Sequence, residues 1–87
     1  RSHRLRPVGG MNARLRGLRG SDVVRALERA GFVVKRVKGS HFILQHPGDA
    51  TRRATVPVHA GQNVKPGTLL AILRQAQMTL DELERLL

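Results

Sequence analysis

The chain has no cysteine, no tyrosine, no tryptophan and only two phenylalanines in 87 residues. Absent cysteine excludes a disulfide framework and any thiolate metal site. Two phenylalanines are too few for the aromatic platforms on which single-stranded nucleic acids stack. No apolar run approaches the roughly 20 residues needed to cross a bilayer. The arginine-rich start lacks the apolar stretch of a secretory signal. The expected compartment is therefore the cytoplasm, with no membrane partner. A chain this short forms one domain with one core and buries only about 60–65% of its unfolded surface.

Acidic residues are scarce as well. Six Asp and Glu stand against sixteen Lys and Arg, for a net charge of +10. Such an excess predicts a polyanionic partner: nucleic acid, an acidic protein or, less simply, an anionic surface. With stacking excluded, phosphate contacts and shape recognition remain, the manner in which double-stranded RNA is bound. The charge is unevenly placed. Arg1, Arg4, Arg6, Arg14, Arg16 and Arg19 make residues 1–20 a basic arm without a single acid. Arg1 to Gly10 reads as irregular chain, whereas Met11, Leu15 and Leu18 have the spacing of a short helical turn. Residues 21–87 form the expected domain, mildly basic through its middle.

Within that domain Ser21 reads as a helix N-cap, with Asp22 favourably placed at the positive end of the helix dipole. Val23, Val24, Leu27 and Ala30 form an apolar stripe, and Gly31 ends the helix. Phe32–Lys38 and His41–His46 read as strands of a hairpin turning at Gly39-Ser40. Residues 47–53 read as a loop carrying Arg52 and Arg53, and Ala54–Val58 as a third strand that Pro57 restricts to an edge or an end. Pro66 opens a second helix with Leu69, Ile72, Leu73 and Ala76 on one side. Thr79-x-x-Glu82 is a capping box for a short last helix. The expected class is α+β: helix, three-stranded antiparallel sheet, helix, with the helices on one sheet face.

The other sheet face is then free for function, and the chemistry-bearing residues are few. A nucleophile triad from Ser40 has only Asp49 nearby in sequence. A zinc site from His41, His46 and His59 lacks a thiolate or carboxylate at useful spacing. Histidine acting without metal remains. RNA brings its own nucleophile, the 2′-hydroxyl, so a base, an acid and cations suffice for cleavage. His41 follows Lys38-Gly39-Ser40 in a cationic surround. Its alternative role is to open a strand and bond within the turn. Strand alternation puts His41 and His59 on the open face if Phe42 and Leu44 point at the helices; Ile43, as apolar as Leu44, leaves the reverse facing open.

The segments Ser21–Phe32, Lys38-Gly-Ser-His-Phe42, His46-Pro-Gly48, Val56-Pro-Val-His59, Lys65-Pro-Gly-Thr-Leu69 and Ala71–Ala76 together resemble the HicA toxin family of bacterial toxin–antitoxin modules. The resemblance implies a double-stranded-RNA-binding-domain-like fold. It also implies a ribosome-independent endoribonuclease that cleaves mRNA, is inhibited by a HicB-type antitoxin and needs no cofactor. The histidine of the Gly-Ser-His motif, here His41, is implied as catalytic, with His59 at a second recurrent position. Lys38, Ser40, Arg36, Arg52 and Arg53 are the expected RNA contacts. A non-catalytic RNA-binding module of the same fold is the alternative, and a subunit that only docks an acidic partner is a third. Two features depart from the family pattern: the arm of residues 1–20, and Gln77 where a helix-ending glycine is common.

Overall fold

The computed structural model describes residues 17–87. The turn expected at Met11 and Leu15, and most of the basic arm, lie outside the described residues. Helix α1 spans Gly20–Arg29, β1 Val33–Lys38, β2 His41–His46, β3 Asp49–Pro57, α2 Pro66–Ala76 and α3 Leu80–Leu86. The strands form one antiparallel sheet in the order β1-β2-β3, flanked by the helices on one face. This is the double-stranded-RNA-binding-domain-like arrangement expected above. Pro57 is both on an edge strand and at its end, where its missing N–H costs no ladder bond.

Helix α1 begins earlier than the sequence reading placed it. Its N-cap is Arg19, not Ser21, and the Asp22 carboxylate accepts the Arg19 backbone N–H at 3.0 Å. The earlier start follows from tertiary contacts. The Leu18 carbonyl accepts from Val64 N–H at 2.7 Å and Arg19 bridges to Asn63, so the entering chain is fixed before Ser21. Gly20 lies so close to the end of β3 that a Cβ would run into the Pro57 carbonyl, and only glycine fits. Val23, Ala26 and Leu27 are then fully buried.

The hairpin turn is as expected. Lys38 pairs with His41 across Gly39 and Ser40, and Gly39 takes φ +62°, the positive angle that the first position of a type II′ turn requires. Strand β3 is longer than read: it starts at Asp49 instead of Ala54. The cause is an irregularity. Gln45 pairs with Arg53 but the next residue, His46, pairs with Asp49, so Ala50, Thr51 and Arg52 bulge out of the ladder. Thr51 folds back on Asp49, donating both its N–H and its hydroxyl to the carboxylate. A bulged stretch has no clean alternation, so its sequence looks like a loop.

The core lies between the sheet and the helices. Leu27, Leu44, Leu69, Ile72 and Leu83 are its largest well-buried aliphatic side chains. Fully burying each contributes about 1.5–3 kcal/mol relative to exposure. The Thr79 capping box forms as read: Thr79 N–H donates to Glu82 Oε1 at 2.8 Å, and Glu82 N–H to Thr79 Oγ1 at 3.1 Å. Helix α2 ends at Gln77 with φ 58° and ψ 46°, the left-handed conformation that glycine usually supplies. The departure from glycine therefore leaves the turn geometry unchanged. It adds a side chain, whose amide Nε2 donates to Thr51 Oγ1 at 3.2 Å and ties the helix end to β3.

Candidate nucleic-acid interface

Strand register decides which side chains share the open face. Leu44 is fully buried against the helices and pairs with Val34 and Ala54. Phe42, paired with Val37 and Val56, lies on the same inner side and packs against the core. This settles the facing that alternation alone left open. The outer face consists of three rows: Lys38–His41–Pro57, Arg36–Ile43–Thr55 and Val33–Gln45–Arg53. His41, Lys38, Arg36 and Arg53 are all exposed. Asp49 is the only carboxylate on the three strands. Its hydrogen bonds from Thr51 hold it below the ordinary carboxylate range, so it is ionised and already engaged.

A bulge puts the two β1 cations on this face. Val34 pairs with Leu44, but Arg36, not Lys35, pairs with Ile43. Lys35 is the extra residue. It shifts the phase of the strand, so that Val34 and Val37 both fall on the helix side, Val37 at its exposed margin, while Arg36 and Lys38 fall on the outer side beside His41. Bulges commonly re-aim side chains near functional sites. The sequence carries the signal, because Val34 and Val37 are three apart, a spacing that a regular strand with both inward cannot have.

The Gly39-Ser40 bend sets His41 at the head of β2. Ser40 is half-buried, and its carbonyl accepts the Val58 N–H at 2.7 Å. The residues preceding His41 and His59 are thus bonded to each other, which fixes the two histidine-bearing segments side by side. His59 is exposed and lines a groove of about 320 Å³ with Pro57, Gln62, Lys65 and Thr68, between the end of β3 and the start of α2. Its carbonyl accepts from Gln62 N–H at 3.0 Å, closing the loop beyond β3.

Two other basic or imidazole groups point elsewhere. Arg52 lies on the helix side. Its Nε donates to the Ala76 carbonyl at 3.0 Å, capping the end of α2, and its guanidinium sits 5.3 Å from the centre of the Phe32 ring. His46 meets the same ring edge-on at 5.2 Å and accepts the Gly48 N–H at Nδ1. Both pack the end of the core and neither joins the outer face. Among the described residues, no group of three or more His, Asp or Glu side chains is gathered as a metal site.

Chemically, the outer face offers an accessible imidazole among exposed cations with no carboxylate in its three rows. Such a surface attracts a phosphodiester. None of the described helices is long and apolar enough to cross a membrane. Residues 20–78 match the family model for the HicA toxin of bacterial toxin–antitoxin systems. No curated protein matches the chain.

Proposed function

The chain belongs to the HicA toxin family, and on that premise we propose that it is an endoribonuclease toxin whose reaction centre is His41 on the outer face of the sheet. Membership implies the toxin role in a toxin–antitoxin system, with a HicB-type antitoxin as partner and mRNA as target. The observation that carries the catalytic reading is the placement of an exposed His41 in one row with Lys38 and next to the row of Arg36, on a face whose three rows hold cations and no carboxylate.

In this reading, phosphate groups of the RNA bind to Lys38, Arg36 and Arg53, and Ser40 lines the approach. Neutral His41 accepts the proton of a ribose 2′-hydroxyl. The 2′-oxygen bonds to the adjacent phosphorus as the bond to the 5′-oxygen breaks. The leaving oxygen takes a proton from His59, whose segment is tied to that of His41 by the Ser40–Val58 backbone bond. The cations stabilise the extra negative charge of the pentacovalent state, where electrostatic help counts most. The products are a 2′,3′-cyclic phosphate and a 5′-hydroxyl. Arg52, engaged with Ala76 and Phe32, supports the fold and takes no part.

The test is expression of wild type and His41→Ala, with growth and RNA integrity as readouts. Losing a general base costs about 10²–10⁴ in rate, so the variant leaves RNA intact and cells growing while its melting temperature and antitoxin binding match wild type. Cleavage by the purified wild type continues in EDTA. Unimpaired cleavage by His41→Ala removes His41 from catalysis. Salt-sensitive RNA binding by wild type without turnover would instead make the chain an RNA-binding module.

A further inference from the structure

A second groove, of about 370 Å³, runs between the free edge of β3 and the C-terminal turn of α2. Its walls include Arg53, Thr55 and Thr51 from the strand, and Arg74, Gln75 and Gln77 from the helix end. We propose that this groove is a subsite for the phosphate backbone of the RNA strand, with Arg53 and Arg74 as paired clamps, carrying the substrate across the sheet from His41. The inference rests on the reading of the outer face as the RNA-cleaving surface and extends it to a helix that the sequence pattern assigned only to the core.

Three observations support it. First, Arg53 and Arg74 are exposed, and neither side chain has a hydrogen bond or ion pair with any described residue. Arg25 is engaged by Asp22, Arg29 by the Leu86 carbonyl and Arg52 by the Ala76 carbonyl, while Arg36 on the outer face and Arg85 on α3 are also uncommitted but lie outside this groove. Two uncommitted guanidinium groups in one groove offer planar donor forks suited to phosphate.

Second, the groove walls are fixed by polar contacts. Gln75 Oε1 accepts the Thr55 N–H at 3.2 Å, which covers the open edge of β3. Gln77 reaches Thr51 from its left-handed position, and Thr51 in turn is held on Asp49. A helix C-terminus ordinarily repels an anion through its exposed carbonyls. Here three of the last four carbonyls are occupied: Ala76 by Arg52, Leu73 by the Met78 N–H and Arg74 by the Gln77 N–H.

Third, the groove continues the reaction face. Ile43, Arg53 and Thr55 belong to both. Pro57, the partner of His41, is four residues from Arg53 along β3, about 13 Å of strand. An RNA strand with its scissile phosphate at His41 and running along β3 meets the groove with a phosphate about two nucleotides away.

The test uses the full chain carrying His41→Ala, so that RNA stays intact, and a fluorescein-labelled single-stranded RNA titrated over a range of KCl. Arg53→Gln and Arg74→Gln are each added to that background. Arg85→Gln, on α3, is the control of equal charge. Each groove substitution reduces the slope of log K against log salt by about 0.7, the value for one single-strand phosphate, and the double variant by about 1.4. The control leaves the slope unchanged. In the cleaving chain, Arg74→Gln raises KM with kcat preserved, as loss of uniform binding does. If Arg74→Gln keeps the parental slope while RNA still binds, the groove lies off the RNA path and this inference alone fails. If kcat falls as much as kcat/KM, Arg74 acts at the reacting centre and the subsite is refuted. If the chain neither binds nor cleaves RNA, the parent reading falls and the subsite with it.

Discussion

On β2, Phe42 and Leu44 turn toward the helices while His41 and Ile43, one step out of phase, turn away. The two faces of this one sheet differ in nearly every property. The inner face is aliphatic and aromatic, and its single cation, Arg52, is held at the margin by a carbonyl and a ring. The outer face carries Arg36, Lys38, Arg53 and His41 around a sparse apolar content. The comparison teaches that the fold and the proposed reaction draw on alternate residues of the same strands. A substitution on one face can therefore be read for stability, and on the other for chemistry, with little mixing.

The largest predicted effect on that comparison is the loss of about 10²–10⁴ in RNA cleavage for His41→Ala with thermal stability retained. Its counterpart on the inner face is Leu44→Ala, which costs about 2–5 kcal/mol in a denaturant melt. Cleavage per folded molecule is then unchanged. Ile43→Ala, the adjacent position facing outward, costs well under half as much. Equal destabilisation by the two would erase the distinction between the faces.

Deletion of Lys35 has a smaller expected effect. Removing the bulged residue leaves Arg36, Val37 and Lys38 opposite Ile43, Phe42 and His41, so the cations stay outside and cleavage persists. A collapse of RNA binding in this variant would mean that the bulge does more than count residues. The smallest effect concerns acid. The Asp49 pKa is lowered by its bonds from Thr51, and the Glu82 pKa by its bonds from Thr79. A carboxylate lowered in the folded state contributes stability above its unfolded pKa and loses it as pH falls through the folded one. Both groups are fully exposed, so a melt followed by circular dichroism declines only gently below about pH 4 from this source.

Much of this was legible in advance from local signals. The Thr79 capping box, Pro66 at the start of α2 and the Gly39-Ser40 turn each act within a few residues, and each forms where the pattern placed it. The motif bearing His41 stood out for the same reason, as a short cationic bend. The N-cap at Arg19 was not legible, because it depends on Asn63 and Val64, more than forty residues away. Nor was the start of β3, since three bulged residues hide its alternation. Arg52 and Arg53 are neighbours of identical chemistry, and only the register sends one to Phe32 and the other outward.

Composition and short-range pattern by themselves determined a basic α+β domain without cysteine chemistry, its helices, its hairpin and the prominence of one histidine. They could do so because charge, turn propensity and apolar periodicity are properties of neighbouring residues. Packing across the sheet decided which face His41 occupies, which cations accompany it and that the end of α2 borders the same surface. Those outcomes depend on bulges and pairings between distant segments, and a one-residue shift in register inverts every side chain that follows.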